Sequence, residues 1–232
     1  MNPERAMVIV AHPDDAEFLA GGSVALWAQN STAVTYVIVT NGDKGSEDPN
    51  ITSAELAAIR EDEQRSAAQR LGVAQVLFLG YPDSMLQPTL DVRRDLVRVI
   101  RQHRPNIVVT FDPTNRFIAA NYLNHPDHRA AGDVALDAVF PAARDRLTFP
   151  ELFTEEGLAP HKVEELWMGA AREPNHWVDI EPVLQDKIEA LRLHHSQLDD
   201  MPLEQFIPEM AKMSAQGSDY TYAEAFRRMV LT

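Results

Sequence analysis

The chain has 232 residues, 45% of them apolar and none of them cysteine. That is enough for one sizeable α/β domain, and it excludes a disulfide framework and any thiolate chemistry. Its 35 acidic against 21 basic side chains give a formal charge of −14, which argues against a general electrostatic footprint for nucleic acid or anionic lipid. No apolar run approaches the roughly 18–20 residues needed to span a bilayer. The lack of cysteine is compatible with a reducing cytoplasm, the compartment expected here.

Met1-Asn2-Pro3-Glu4-Arg5 precedes a run of only six apolar residues and does not read as a signal peptide. Ala6–Ala11 reads as a buried strand that stops abruptly at His12-Pro13-Asp14-Asp15. A helix follows, from Phe18 to about Gln29. Ala33–Thr40, rich in β-branched residues, predicts a second strand, closed by the polar loop Asn41-Gly42-Asp43-Lys44-Gly45-Ser46. Ser53 is a fitting N-cap and Gly72 a fitting stop for a long helix between them. Gln75–Gly80 predicts a third strand, Asp91–His103 a helix stopped before Pro105, and Asn106–Phe111 a fourth strand. After the loop that reaches His125-Pro126-Asp127-His128, residues 127–140 read as a helix.

Four strands alternating with helices, at about 30 residues per unit, indicate βαβ repeats and a parallel sheet. Beyond Pro141 the pattern weakens. Residues 150–160 read as irregular, Glu165–Ala171 as a fifth strand and Trp177–Ile180 as a short extended piece. Glu181–His195, Leu203–Ser214 and Tyr220–Val230 read as helices, the last with Asp219 as a cap. No composition shift marks a second domain. The expectation is one domain over residues 1–232, with a core to about residue 140 and an extension over 141–232 packed on the same sheet.

Ligands of open parallel sheets bind beyond the carboxyl ends of the strands. Two clusters fall there: His12-Pro13-Asp14-Asp15 after the first strand and His125-Pro126-Asp127-His128 after the fourth. Histidine and carboxylate suit zinc and similar divalent ions, and a catalytic zinc takes three protein ligands. A divalent ion there would make a nucleophile available near neutral pH, with a neighbouring carboxylate to accept its proton. His103, His161 and His194 read as surface or structural, and His176 and His195 carry no chemical role.

At these residues the sequence resembles the LmbE-like, or PIG-L, family of zinc-dependent N-acetylglucosamine (GlcNAc) de-N-acetylases. Ala11-His12-Pro13-Asp14-Asp15 and His125-Pro126-Asp127-His128 match its two signature motifs. Thr40-Asn41-Gly42, Arg60-Glu61-Asp62-Glu63, Leu71-Gly72-Val73, Pro82-Asp83, Val178-Asp179-Ile180 and Lys187 to Gln197 follow in the family's order. The resemblance implies a Rossmann-like fold and hydrolysis of an N-acetyl group from a GlcNAc-containing small molecule. It implies His12, Asp15 and His128 as metal ligands, with zinc expected and Fe²⁺ compatible. It implies Asp14 as the general base and His125 as the residue that polarises the substrate carbonyl. Asp127 is implied as its neighbour's partner, holding a histidine tautomer, and Arg60, Asp83 and Asn41 as sugar contacts. Many members carry an acid directly after the aspartate pair; here that position is Ala16, with Glu17 next. Some place a tyrosine two residues before the second motif; here that position is Leu123, and Tyr122 sits one earlier. The family includes monomers and larger assemblies, so the resemblance allows a homo-oligomer.

Two other readings stand beside this one. The same centre could serve a different N-acyl group, as on a chito-oligosaccharide, a peptide-like antibiotic or a thiol conjugate. Alternatively, the fold could carry a non-catalytic sugar or nucleotide site. Against the latter, the first βα turn lacks G-x-G-x-x-G, and Gly21-Gly22 lies too far into the helix to cradle a phosphate.

Overall fold

The computed structural model describes residues 2–119 and 121–231, so Met1 of the N-terminal segment lies outside them. Among the described residues, nine strands and eight α-helices alternate through most of the chain. The strands are β1 (Arg5–Val10), β2 (Ala33–Thr40), β3 (Gln75–Tyr81), β4 (Ile107–Phe111), β5 (Phe117–Ala119), β6 (Tyr122–Leu123), β7 (Glu165–Gly169), β8 (His176–Asp179) and β9 (Ala223–Val230). The helices are α1 (Asp15–Gln29), α2 (Ser53–Arg70), α3 (Leu90–His103), α4 (Pro126–Asp137), α5 (Glu151–Thr154), α6 (Leu184–Leu191), α7 (His195–Leu198) and α8 (Leu203–Ser214). Among the described residues no helix is long and apolar enough to cross a membrane.

Seven strands form one sheet in the order β3-β2-β1-β4-β7-β9-β8. The first five are parallel; β9 runs antiparallel to β7 and β8 antiparallel to β9. Strand β1 shows why both faces must be covered. Met7, Ile9 and Ala11 enter the core shared with α3 and α4, whereas Ala6, Val8 and Val10 enter the core shared with α1 and α2. A strand buried on both faces reads as a continuous apolar run, as this one does. The strand order reverses direction between β1 and β4, and the crevice at such a switch point is where open α/β sheets bind ligands.

Local signals account for the starts of α2 and α4. Thr52 and Glu55 form a reciprocal capping box at the start of α2. Pro126 occupies the first turn of α4, where its missing N–H costs nothing. Gly132 lets α4 lie close to the sheet, since a Cβ there would fall 2.6 Å from the Phe111 carbonyl.

The expected terminal helix over Tyr220–Val230 is a strand. Alanine, glutamate, arginine and methionine favour a helix in isolation, but this segment lies between β7 and β8, where both backbone edges are paired. Phe226 packs against Trp167, and the Arg228 guanidinium pairs with Glu165. The expected helix Glu181–His195 is broken into α6 and α7, and a small hairpin, β5–β6, occupies what read as loop.

Strand β9 also anchors α1. Ala20 leaves helical geometry (φ −147°), which frees donors in the next turn of the helix. Glu224 accepts from Gly22 N and Ser23 N, both at 2.8 Å, and from Ser23 Oγ at 2.6 Å. Lys187 Nζ completes the arrangement, 2.6 Å from Glu224 Oε1 and 2.9 Å from the Phe18 carbonyl. Both charged side chains are buried. Removing one partner of a buried pair leaves an uncompensated charge, so Lys187→Met should lower unfolding free energy by about 3–5 kcal/mol. Urea denaturation measures this, and a loss below about 1 kcal/mol, the range of exposed pairs, would contradict the assignment.

Candidate active site

The site forms where three turns meet beyond the parallel strands. The turn after β1 supplies His12, Asp14 and Asp15. The turn after β3 supplies Asp83. The start of α4, reached through the β5–β6 hairpin, supplies His125, Asp127 and His128.

His12 is the hub. Its Nε2 lies 3.1 Å from Asp83 Oδ1 and 3.3 Å from Asp127 Oδ2, and its Nδ1 lies 3.2 Å from Asp15 Oδ2. Asp15 reaches in two directions, with Oδ1 3.0 Å from His128 Nε2. His128 stacks on Phe111 with ring centroids 4.3 Å apart. Its Nδ1 lies 3.1 Å from Asn124 Oδ1. The Asn124 amide donates to the Asn115 carbonyl at 2.7 Å, which fixes its oxygen toward His128. Nδ1 of His128 is therefore the protonated nitrogen, assigned from the network, and Nε2 carries the lone pair.

His125 caps α4. Its Nδ1 accepts the Asp127 N–H at 3.2 Å, so the neutral ring bears its proton on Nε2. Burial, together with His12 and His128, holds its pKa below the ordinary histidine value. Asp127, fully buried, also accepts from Ser84 N at 2.7 Å and Leu86 N at 3.3 Å.

The carboxylates differ in environment. Burial and the Asp15 charge raise the Asp14 pKa to about 6 against the opposing pull of Arg60, His194 and His12. Burial opposes ionisation of Asp15 as well, but His128 and His12 outweigh it and hold that carboxyl far below its usual range. Asp83 is likewise disfavoured by burial and brought down to about 2 by His12 and Arg60. Burial disfavours a charged His12, yet Asp15, Asp127 and Asp83 together push its pKa up to about 12.

Three buried carboxylates and the half-buried Asp14 thus share one permanent cation among the described residues, Arg60, and the cluster demands positive charge at its centre. A divalent ion fits that demand. Potential ligand atoms of His12, His125 and His128 lie within 4.8 Å of one another, as do those of His12, Asp83 and Asp127. Neither grouping contains Asp15, yet hydrogen bonding favours it. Nε2 of His12 is engaged by Asp83 and Asp127, and Nδ1 of His125 is engaged by a backbone N–H. Nδ1 of His12, the Asp15 carboxylate and Nε2 of His128 remain as the atoms that could hold an ion.

The remaining expected residues fall as follows. Arg60 is 5% exposed and donates to the carbonyls of Pro13, Gly42 and Lys44 and to Asp14 Oδ2. Asp83 is 4% exposed and faces His12 and Arg60. Both brace the turns around His12 and Asp14. The Asp127 carboxylate meets His12, distant in sequence, while its N–H holds the neighbouring His125. Asn41 is half-buried at the rim, its N–H bonded to the Tyr81 carbonyl. Tyr122 is exposed. His161 bonds the Pro105 carbonyl, His176 packs on Trp167 and His195 pairs with Asp199 at the surface. His194 is buried behind the site against Glu17. Sequence reasoning missed Asn124 and Gln64. Asn124 directly precedes the second motif, and Gln64 lies four residues after Arg60, on the same helix face.

The fold and this cluster define an α/β protein with a histidine–carboxylate centre at the switch point of a parallel sheet. The chain belongs to the family described as PIG-L, GlcNAc-PI de-N-acetylase, whose model matches residues 7–139. It is 32% identical over 227 residues to diacetylchitobiose deacetylase of Thermococcus kodakarensis, covering 97% of this chain and 82% of that protein. It is 35% identical over 178 residues to 1D-myo-inositol 2-acetamido-2-deoxy-alpha-D-glucopyranoside deacetylase of Geodermatophilus obscurus, covering 66% of this chain and 58% of that one. Among solved structures, N,N'-diacetylchitobiose deacetylase from Pyrococcus horikoshii superposes with a TM-score of 0.91 at 31% identity, over 98% of this chain and 84% of that one.

The Asn124 contact gives a test of the centre. Removing a partner that orients a metal-ligating histidine typically costs about 10–100-fold in metal affinity. Asn124→Ala should weaken zinc binding by that factor in competition with a chelator, while an exposed control such as Asn30→Ala should leave it in place.

Proposed function

We propose that the protein is a zinc-dependent N-deacetylase that removes the acetyl group from a GlcNAc-containing small molecule. The observation that carries this reading is the meeting of both motifs at one point. His12 Nδ1, Asp15 and His128 Nε2 gather there, with Asp14 and His125 beside them.

In this reading His12, Asp15 and His128 hold the ion, a His₂Asp set that suits zinc and also accepts iron. A divalent ion bound there supplies Lewis acidity and a nucleophile usable at neutral pH. Asp14 accepts the proton of the attacking water. His125, neutral and protonated on Nε2, donates to the carbonyl oxygen as negative charge builds on it. When the amide C–N bond breaks, Asp14 returns its proton to the leaving nitrogen, and acetate and the free amino sugar result. Arg60 and Asp83 are assigned to holding Asp14 and His12, which leaves Asn41 as the sugar contact at the rim. A chito-oligosaccharide is the conjugate to test first, given the likeness to two diacetylchitobiose deacetylases.

Purified protein should contain about one divalent ion per chain, as a single three-ligand centre requires, and should release acetate from N,N'-diacetylchitobiose. Asp14→Asn should lower kcat by about 10²–10⁴-fold, the usual contribution of a general base, with the ion retained. If no metal-loaded form releases acetate from any GlcNAc conjugate in a panel, the substrate assignment fails. Faster cleavage of N-acyl amino acids than of sugars would move the reaction to a different N-acyl class.

A further inference from the structure

Asp14 has φ 92° and ψ −31°, a positive-φ conformation that residues with a Cβ rarely adopt. Such a conformation persists only where the surroundings enforce it. Two side chains of α2 do so here. Arg60 Nη2 donates to the Pro13 carbonyl at 2.9 Å, and Gln64 Oε1 accepts the Asp14 N–H at 2.9 Å.

The Gln64 amide is itself held from behind. Its Nε2 donates to Glu17 Oε1 at 2.9 Å, so its oxygen must face Asp14. Glu17 Oε2 stands 3.3 Å from His194 Nε2. Neither of those two atoms has another hydrogen-bond partner among the described residues. Gln64 and Glu17 are fully buried and His194 is 1% exposed. A string of polar groups in the core is a costly way to fill space, and apolar residues of the same volume would serve stability as well or better. Apolar residues would not reach the Asp14 amide. The string starts in the residues between α6 and α7 and ends at the backbone of the residue assigned as base.

We propose that Gln64, oriented by Glu17 and backed by His194, is a positioning residue that fixes the Asp14 turn and so places its carboxylate. This rests on the reading of Asp14 as the proton acceptor. It also gives Glu17 and His194 a joint purpose at the site without contact to substrate.

Amide hydrogen exchange and steady-state kinetics on the full chain, loaded with zinc, test it. In the wild type the Asp14 amide should be protected, and in Gln64→Met that protection should fall while the amides of β1 keep theirs. The same variant should lose on the order of 10–100-fold in kcat, the cost of a misplaced reacting group, with KM and zinc content held. Glu17→Gln keeps an acceptor for Gln64 Nε2 and should retain far more activity than Glu17→Met. An unprotected Asp14 amide in the wild type overturns the proposal, as does an unchanged kcat in Gln64→Met or a kcat loss that tracks zinc loss. Should Gln64→Met not fold, equal kcat in Glu17→Gln and Glu17→Met overturns it. The exchange measurement needs no substrate, so it reads the positioning claim even if deacetylation itself fails.

Discussion

His12 has carboxylates on both ring nitrogens, and the reactive edge of the sheet is assembled around that contact. Asp83 and Asp127 lie against Nε2 and Asp15 against Nδ1. The three carboxylates come from the turn after β3, the first turn of α4 and the first turn of α1. One imidazole therefore fixes three segments far apart in the chain. A lone pair on Nε2 would oppose two carboxylates, so the neutral ring keeps its proton there. Its lone pair then points toward Asp15 and His128. Carboxylates that engage the far nitrogen of a ligating histidine have this effect on tautomer and basicity.

The same packing sets the charge problem that the site solves. Asp14, Asp15, Asp83 and Asp127 are brought together with Arg60 as their one permanent cation among the described residues. The backbone N–H of His12 donates to Asp15, and those of Ser84 and Leu86 donate to Asp127, which offsets part of the repulsion. His12 takes up a proton when nothing else supplies positive charge, as its pKa near 12 records. An ion held by Nδ1 would displace that proton. Proton and ion compete for the same lone pair, a coupling general to metal sites built from histidine.

Much of this was legible in the sequence because it is written locally. The apolar run before His12, the β-branched run before Asn41 and the two His-Pro-Asp clusters are local signals. So is the alternation that predicts the parallel sheet. What escaped depended on distant partners. Strand β9 has helix-forming composition, and it is a strand because β7 and β8 pair with its two edges. Asp127 was expected to serve an adjacent histidine, and its N–H does hold His125; the helical turn that begins at Pro126 also carries its carboxylate across to a residue 115 positions away. The bonds that Arg60 and Asp83 make to the turns around His12 and Asp14 likewise depend on distant partners. Gln64 had a visible signal, one helical turn after Arg60, whose meaning appears only when α2 lies against the Asp14 turn.

Adjacent aspartates could be expected to titrate as an undifferentiated pair. They do not, because backbone and environment separate them. The positive φ at Asp14 turns its side chain toward Arg60, while Asp15 enters α1 facing the two histidines. Asp15 is held ionised by His128 and His12 despite burial. Asp14 is raised by burial and by the charge of Asp15, with Arg60 opposing, and stands at about 6. Environments that drive two neighbouring acids apart divide their labour. The acid held far below neutrality suits an ion, and the one near neutrality suits a proton that must be taken and given back. Arg60 acts in the opposite sense: without that guanidinium the Asp14 carboxyl would move further up. Arg60 thus favours the charged form of Asp14 while its bonds to the Pro13 and Gly42 carbonyls keep the turn in place.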